Sequence, residues 1–542
     1  MDVDGAGAPT HWARWGRPEQ TPVLSKAAQT FLARRLGAGQ PSEVAELEDV
    51  AVPPSRLTEA ARSALCDAVG PENLRRDAES RLRHGAGQSY TDLVRRRAGR
   101  LEVPDAVVLP GTAEEVGAVL RACAATEVAV VPFGGGTSVV GGVEPSRGRF
   151  PAVIALDLGR MNRLLAVDPL SLTATFEPGI TTPAADAALA HHGLTLGHFP
   201  QSYERATIGG YVATRSAGQA STGYGRIDDR VLGLRLTTPA GDLILPAQPA
   251  SAAGPDLRRW AVGSEGVFGV ITEATLRVHR TPRARHYEAW IVDSFVTGRE
   301  LFREFAQEGL TADVMRLSDE EETRVGLALT GPRGLARHAL AAYLSARRRR
   351  GGCLVILGFE GTAAGIGARR GGMEKLLRAG GAVALGSRAG RSWEHGRFAG
   401  PYLRDALLDH GWLVETLETA ALWSTLPSVY EAAGAALRSA LRSALVGCHI
   451  SHVYPTGASL YFTVLAARRP GVEIADWDSA KTAASEALVA AGATVSHHHA
   501  VGSTHAPWLE AETSALGVAS LRAVKDRLDP VGIMNPGKLL PG

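Results

Sequence analysis

After its first hundred residues the chain alternates short apolar runs with segments of helical periodicity. Residues 107–109, 128–131 and 153–158 are aliphatic runs of strand length. Thr112 followed by Glu115 has the spacing of a capping box, and it predicts a helix between the first two runs. The pattern predicts an α+β domain in which a strand leads directly into a glycine-rich segment.

Later segments follow the same logic with longer helices. Residues 270, 272, 274 and 276 are Val, Thr, Ala and Leu, which predicts a strand with these side chains on one face. Beyond Pro282 the composition turns to Ala, Leu and Arg, which predicts a second domain. Further helices are predicted at 25–36, 71–83, 183–190, 301–308, 337–350, 479–491 and 516–528, and further strands at 172–176, 231–237, 243–245, 353–358, 446–454 and 460–465.

Composition limits the function classes. A chain of 542 residues with 45% hydrophobic residues and a net charge of +2 is long enough for two or three domains. This near-neutral charge gives no argument for nucleic-acid binding. The four cysteines are scattered without a CxxC pair, so neither a zinc site nor a disulfide framework is predicted. Without an apolar leader or a run of about eighteen apolar residues, the chain is expected to be cytoplasmic and to have no membrane span.

The segment PFGGGTSVVGG, at residues 132–142, is the most informative stretch. Three consecutive glycines let backbone N–H groups turn toward an anion, and Thr137 and Ser138 add hydroxyl groups. For the glycines alone, an ordinary turn is the more common explanation. No lysine stands in the Walker A position and the spacing is not GxGxxG, which disfavours a P-loop and a nicotinamide-type Rossmann site.

Four motifs follow one another along the chain: PFGGGTS, GHFPQS, TIGGYVATRSAGQ and GSEGVFGVIT. The first resembles the pyrophosphate loop of the vanillyl-alcohol-oxidase class of FAD-binding domains, and the ordered set resembles the alkylglycerone-phosphate synthase family. The resemblance implies that fold and a noncovalent FAD, and the cradle itself contains no His or Cys. The cofactor-binding residues it implies are Pro132, Phe133, Gly134, Gly135, Gly136, Thr137, Ser138, Gln201, Ser202, Tyr203, Glu204, Arg205, Ala206, Thr207, Thr214, Arg215, Ser216, Ala217, Glu265, Gly266, Val267, Phe268, Gly269, Val270 and Ile271.

Three stretches of this half need separate comment. Gln201 stands where the family often has an acidic residue, which leaves the role of that charge open. Residues 207–229 are so rich in Gly, Ser and Thr that they predict an irregular segment against a flat ligand and not a packed helix. The glycine-rich residues 84–90 are interpreted as a linker, with a lid as the alternative.

The consecutive histidines His497, His498 and His499 suggest a metal site or a solvated polar loop by composition. Neighbours in a strand point to opposite faces, so three of them share one tetrahedral centre only at a sharp bend, and no metal is predicted. The segment SHHHAVG resembles the family's active-site triplet, which implies a catalytic role for all three.

Other site residues also depend on the resemblance. Tyr461 in GASLYFT is by itself typical of a half-buried core tyrosine, and it resembles the family's catalytic tyrosine. Arg404 in PYLRDALL and Arg316 in MRLSD resemble substrate-binding arginines, although such arginines are usually solvated. His198 in GHFPQS resembles a histidine near the flavin and is a further catalytic candidate.

By this resemblance, the reaction exchanges the acyl chain of acyl-dihydroxyacetone phosphate for a fatty alcohol through an adduct at flavin N5, in ether lipid biosynthesis. The alternative is an FAD-linked oxidase or dehydrogenase of a 2-hydroxy acid such as lactate or glycolate, because both classes share the cradle. A flavoprotein without catalysis is a third hypothesis. A lipid substrate is expected, and a homodimer is left open. The basic run at 347–350 is typical of a solvated helix end, and peripheral membrane contact is the alternative.

Four regions are predicted from these patterns together. Residues 1–96 form a helical N-terminal extension in which Trp12 and Trp15 dock on a larger body. The FAD-binding domain spans 97–281, a cap or substrate domain spans 282–505, and residues 506–542 return to the FAD domain.

Overall fold

The computed structural model describes residues 11–332, 334–347 and 351–541. Its N-terminal part consists of helices joined by extended segments. Trp12 and Trp15 are both buried, which confirms that this part docks on the rest of the chain. The elements are α1 (Lys26–Leu36), α2 (Glu59–Val69), β1 (Leu74–Arg75), α3 (Ala78–Arg83) and α4 (Tyr90–Arg97).

The first sheet of the FAD domain carries the cradle. Its order is β1-β2-β4-β3, with β2, β4 and β3 parallel and β1 antiparallel. Thr112 caps the helix between β2 and β3 by accepting the N–H of Glu115, as predicted, but the Glu115 carboxylate accepts the N–H of Gly111 and so does not close a capping box. The new elements are β2 (Ala106–Val108), α5 (Ala113–Thr126), β3 (Val128–Phe133) and β4 (Ala152–Asp157).

The second sheet is antiparallel with the order β5-β6-β10-β8-β9. Residues 270, 272, 274 and 276 are buried along β10, which confirms the predicted face. The elements of this part are β5 (Leu164–Asp168), β6 (Thr173–Phe176), α6 (Thr182–Ala190), β7 (Leu194–Thr195), α7 (Ile208–Thr214), α8 (Ser221–Tyr224), β8 (Val231–Thr238), β9 (Gly241–Leu245), α9 (Arg258–Ala261), β10 (Val270–Arg277) and β11 (His279–Arg280).

The cap contains an antiparallel sheet of order β15-β12-β14-β13-β17-β19-β16, with β18 paired to β19. Helices cover this sheet, and the largest hydrophobic cluster lies between them and the strands. The elements are β12 (Ala284–Val292), α10 (Phe295–Gln307), β13 (Val314–Ser318), α11 (Glu320–Leu329), α12 (Leu335–Ala346), β14 (Cys353–Gly361), α13 (Ala363–Ala379), β15 (Val383–Gly386), α14 (Ser387–Gly396), α15 (Gly400–Asp409), β16 (Trp412–Leu422), α16 (Leu426–Ala440), β17 (Leu445–Ile450), β18 (Val453–Tyr454), β19 (Gly457–Ala467) and α17 (Glu473–Ala490).

The C-terminal segment returns to the FAD domain, as predicted. After α18 (Leu509–Leu528) the chain runs beside β3, where Val130 donates its N–H to the Ile533 carbonyl at 2.9 Å and accepts the N–H of Asn535 at 2.8 Å. The N-terminal part also contributes to this domain, because β1 extends the first sheet and α2 packs on α5. Residue 96 therefore does not separate two independent bodies.

Three local predictions are wrong. Residues 208–214 form helix α7, in which Gly209 lets the helix approach the preceding turn, because a Cβ there would lie 2.5 Å from Cβ of Pro178. The predicted helix at 71–83 is helical only from residue 78, after a 3₁₀ turn and β1. Residues 84–90 are not a linker: they are largely buried, and the N–H of Gln88 donates to the Ser138 carbonyl of the cradle at 2.7 Å.

None of the described helices has both the length and the apolar character that crossing a bilayer requires.

Candidate active site

A cavity of about 580 Å³ lies between the FAD domain and the cap. Its walls come from the cradle after β3, from α7, from the start of β10 and from the cap strands β13, β16, β17 and β19. The cavity is therefore lined by the glycine motifs of the FAD domain on one side and by ionisable residues of the cap on the other.

Close backbone packing explains the cradle glycines. A Cβ at Gly135 would lie 2.1 Å from the Arg205 carbonyl oxygen, and one at Gly134 would lie 2.4 Å from Oγ1 of Thr207. The hydroxyl of Ser138 accepts the N–H of Gly142 at 2.9 Å and closes the loop. The loop thus forms a Cβ-free surface along the cavity, which fits the pyrophosphate of a dinucleotide cofactor.

Most of the predicted cofactor residues line this cavity. They are Pro132, Phe133, Gly134, Gly135, Gly136, Thr137, Ser138, Gln201, Ser202, Ala206, Thr207, Thr214, Ser216, Ala217, Glu265, Gly266, Gly269, Val270 and Ile271.

Other predicted cofactor residues face away from it: Tyr203, Glu204, Arg205, Arg215, Val267 and Phe268. Tyr203 stacks on Phe398 of the cap at 4.9 Å, and Arg215 pairs with Asp228 at 2.8 Å. Residues 267 and 268 belong to the hydrophobic core of the second sheet. Sequence motifs mark whole segments, whereas only some residues of each segment line the cavity.

The histidine run is folded into a tight turn around Glu418 of β16. Oε1 of Glu418 accepts the N–H of His498 at 3.1 Å and of His499 at 2.9 Å, and Oε2 accepts the N–H of His497 at 2.8 Å. Burial alone would raise the pKa of this carboxyl, but the surrounding histidines hold the pKa of Glu418 well below its usual range. A buried carboxylate thus supplies the bend that three adjacent histidines need.

Hydrogen bonds within the turn assign the tautomers. Nδ1 of His498 lies 3.3 Å from Oε2 of Glu418 and 3.0 Å from Nδ1 of His497, while Nε2 of His497 lies 2.6 Å from the hydroxyl oxygen of Tyr454. A proton on Nδ1 of His498 can be donated to the Glu418 carboxylate and to Nδ1 of His497. Nε2 of His498 then carries no proton and has a free lone pair. His498 and His499 line the cavity, whereas His497 stands behind them.

Tyr461 lies between two imidazole rings on β19. Its ring stacks on His449 at 4.8 Å and on His498 at 5.9 Å, and it meets His499 edge-on at 5.5 Å. Burial raises the pKa of Tyr461 to about 12, so the phenol is protonated at neutral pH. The cavity therefore receives a neutral hydroxyl next to three imidazole rings.

Two arginines line the cavity at different places. The Arg316 guanidinium lies 3.1 Å from His449 and donates to Glu322 at 3.2 Å. Although burial opposes it, His449 and Arg316 lower the pKa of Glu322 to about 2. Arg404 donates to the Gln88 carbonyl at 2.6 Å and keeps a buried Nε without a hydrogen-bond partner among the described residues. Arg404 also donates through Nη2 to Oε1 of Gln88 at 3.3 Å, so Nε is its one donor nitrogen without an acceptor among the described residues.

Glu265 connects the cofactor motif GSEG to the histidine turn. Its carboxylate accepts the N–H of Val501 at 2.8 Å and of Gly502 at 2.7 Å, directly after the triplet. Burial raises the pKa of Glu265 to about 7, against these two donors. The FAD domain therefore holds the residues that follow the histidine turn in place.

His198 does not reach the cavity. It is fully buried, and its Nε2 contacts the hydroxyl of Ser216 at 3.1 Å, which itself lines the cavity. Burial lowers the pKa of His198 well below its usual value. His198 is therefore placed to position Ser216 and not to touch a substrate.

The histidine cluster also bears on the metal expectation. Ring nitrogens of His452, His497 and His498 lie within 4.8 Å of one another. This spacing is compatible with a metal ion. The expectation that the site contains no metal therefore stays a prediction from the sequence.

An apolar arm extends the cavity between α11, α15 and the ends of β16 and β19. Apart from Gly326, its lining residues belong to one hydrophobic cluster. Its lining residues are Val325, Gly326, Leu329, Leu403, Leu407, Val414 and Leu465. The arm suits the hydrocarbon chain of a substrate whose polar end lies near the arginines.

Comparison with known proteins places this geometry in a family. Residues 104–245 match the family model "FAD binding domain", and residues 281–539 match "FAD linked oxidases, C-terminal domain". The alkyldihydroxyacetonephosphate synthase of Trypanosoma brucei brucei is 34% identical over 503 residues, which cover 90% of this chain and 82% of that protein. The chain belongs to the alkyldihydroxyacetonephosphate synthase family. FAD is its cofactor, as predicted from the ordered motifs.

Two further members of the synthase family support this assignment. The Dictyostelium discoideum enzyme of the same name is 32% identical over 510 residues, covering 92% of this chain and 83% of its own. A solved structure of an alkyldihydroxyacetonephosphate synthase superposes with a TM-score of 0.83 at 28% identity, covering 97% of this chain and 98% of that chain. The vanillyl-alcohol-oxidase-type fold predicted from the sequence is thereby confirmed.

Sequence reasoning missed several cavity residues of this synthase-family site. Trp15, Gln88, Glu322 and His449 all line the cavity or contact a lining side chain. Gly87 is the one available signal for Gln88, because a Cβ there would lie 2.2 Å from the Ser138 carbonyl oxygen. Trp15, Glu322 and His449 reach the site through contacts between distant parts of the chain, which no local motif marks.

Proposed function

We propose that this protein exchanges the acyl chain of acyl-dihydroxyacetone phosphate for a fatty alcohol, as an FAD-dependent alkyldihydroxyacetonephosphate synthase. One observation carries the proposal: a single cavity contains the cofactor cradle, the pair His498 and Tyr461, an arginine with an unused donor and an apolar arm. A 2-hydroxy acid oxidase has no need of the apolar arm, because lactate and glycolate have no chain to place in it.

The cradle and the 206–217 and 265–271 segments would hold a noncovalent FAD. When bound, FAD supplies an electrophile that holds the three-carbon unit while its two substituents are exchanged. The protein then has to bind a phosphate, move protons and exclude water.

His498 is proposed as the base that removes the proton beside the substrate carbonyl. Its Nδ1–H is held by Glu418 and His497, so Nε2 is available to accept a proton. Glu418 then stabilises the imidazolium that forms, because its carboxylate stays charged. His499 lines the same wall and would help to orient the substrate.

Tyr461 is proposed to act on the departing carboxylate and the incoming alcohol, and Arg404 is proposed to bind the substrate phosphate. The neutral phenol of Tyr461 donates a hydrogen bond to the departing carboxylate, which leaves as the anion. When the alcohol adds, the same hydroxyl relays the alcohol proton to a neighbouring imidazole, from which it is released. Arg404 has a planar guanidinium that suits two phosphate oxygens, and its Nε is not used elsewhere in the described part of the chain.

Gly326 offers a test of the apolar arm. It lines the arm, and a Cβ there would meet nothing within 4 Å. Gly326→Leu should lower exchange with hexadecanol at least about tenfold and leave exchange with a short alcohol nearly unchanged, because several methylenes of the longer chain lose their place. Activity across a series of alcohols measures this, and Gly367→Leu on an exposed helix face is the control. A uniform change at every chain length would show that the arm does not hold the alcohol.

We also propose peripheral contact with a membrane. Val23 and Leu335 are almost fully exposed, next to α1 and α11, which pack around the apolar arm. A long-chain alcohol partitions into bilayers, so an exposed apolar rim at this end would shorten its path. Of the basic run, Arg348 to Arg350 lie outside the described residues, and Arg347 lies 3.8 Å from the ring of Tyr343.

A homodimer and the four region boundaries stay predictions from the sequence.

A further inference from the structure

The N-terminal segment 11–16 lies across the junction of the FAD domain and the cap. Trp15 is only 3% exposed, yet it lines the cavity that holds the cradle. A tryptophan that is held on nearly all sides by protein and still borders a ligand cavity is a fixed part of the wall of that cavity.

Contacts on the FAD-domain side hold the Trp15 ring. Nε1 of Trp15 donates to Glu204 at 3.4 Å, and the guanidinium of Arg205 lies 4.7 Å from the ring centre and also donates to the Trp15 carbonyl. The carbonyl of Arg205 in turn lies against Gly135 of the cradle. This arrangement explains why Glu204 and Arg205 face away from the cavity: they hold the residue that lines it.

Contacts on the cap side hold the backbone of the same residue. The N–H groups of Trp15 and Gly16 both donate to Asp405, at 2.9 and 3.3 Å. Asp405 follows Arg404 directly on α15 and is fully buried. Gly16 is required here, because a Cβ would lie 2.4 Å from the ring of Tyr402. One short segment therefore contacts Arg205, which packs on the cradle loop, and the helix that carries Arg404.

We propose that Trp15 is a cofactor-binding residue, contributed by the N-terminal segment, which forms the wall of the FAD site between the cradle and Arg404. The inference rests on the FAD site of the proposed function and not on the lipid chemistry. Without the indole of Trp15 this wall would be missing, and water would enter the FAD site beside Arg205.

The test uses full-length apoprotein titrated with FAD. Trp15→Ala should weaken FAD binding at least about tenfold, whereas Trp15→Phe, which keeps a ring beside Arg205, should stay within about threefold of the wild type. Trp12→Phe is the control, because Trp12 is buried in the same segment without lining the cavity. Thermal melting of each apoprotein shows whether a variant is folded.

A second readout keeps the proposal testable if Trp15→Ala does not fold. The difference in tryptophan emission between the wild type and Trp15→Phe reports Trp15 alone, and FAD should quench that difference strongly. Wild-type FAD affinity in folded Trp15→Ala, or a Trp15 emission that FAD leaves unchanged, would overturn the proposal. Failure of the wild-type protein itself to bind FAD would instead contradict the proposed function.

Discussion

Tyr461→Phe is expected to lower alkyl exchange at least about a hundredfold, because a general acid–base group in place contributes that much or more. The ring would stay stacked between His449 and His498, so only the hydroxyl is lost. FAD should remain bound at the wild-type level, since the cradle is not touched. Turnover with acyl-dihydroxyacetone phosphate and a fatty alcohol, together with the FAD content, measures the effect.

Tyr430→Phe is the matched control for this substitution. Tyr430 lies on α16 and donates its hydroxyl to Asp319 at 2.9 Å, away from the cavity lining. It should keep the turnover of the wild type per folded molecule. If Tyr461→Phe kept more than about a tenth of the activity, its hydroxyl would not take part in proton transfer.

Gly135→Val is expected to remove FAD from the purified protein almost completely. The new side chain would begin 2.1 Å from the Arg205 carbonyl oxygen, and backbone cannot move aside as a flexible side chain can. The cradle would open or the 201–207 segment would shift, and either change would separate the two segments that are proposed to hold the pyrophosphate. The ratio of flavin absorbance to protein absorbance measures the loss.

Gly367→Val serves as the control for the glycine substitution. Gly367 lies in α13, and a Cβ there meets nothing within 4 Å, so only helix propensity changes. Full FAD content is expected in this variant. The same content in Gly135→Val would mean that residues 134–136 form only a turn and do not hold the cofactor.

Local patterns were sufficient for much of the fold. The run 128–131 leads into the cradle as strand β3, and the strands predicted at 446–454 and 460–465 form β17, β18 and β19, with β19 paired to both of the others. The motifs also located most of the FAD-domain residues that line the cavity, because close backbone approach requires glycine at particular positions. Helix α7 was missed for the same reason: glycines that permit tight helix packing read as turn formers.

The remainder of the site depends on contacts between distant segments. Glu418 lies about eighty residues before the histidines it bends, and nothing in its own sequence neighbourhood marks it. Trp15 and Gln88 enter the site from a part of the chain that reads as an extension or a linker. His198 stays a catalytic candidate only through its resemblance; its side chain lies behind Ser216, and the motif could not show which of its side chains faces the cavity.

Anaerobic multiple-turnover exchange tests the central proposal most directly. The enzyme is mixed with acyl-dihydroxyacetone phosphate and a fatty alcohol without any electron acceptor, and ether product is counted while the flavin spectrum is recorded. An exchange consumes no electrons, so many product molecules per FAD should form and the flavin should end oxidised. If no ether product forms, and lactate or glycolate bleaches the flavin stoichiometrically until an acceptor is added, the protein is an FAD-linked oxidase or dehydrogenase and the proposed function is wrong.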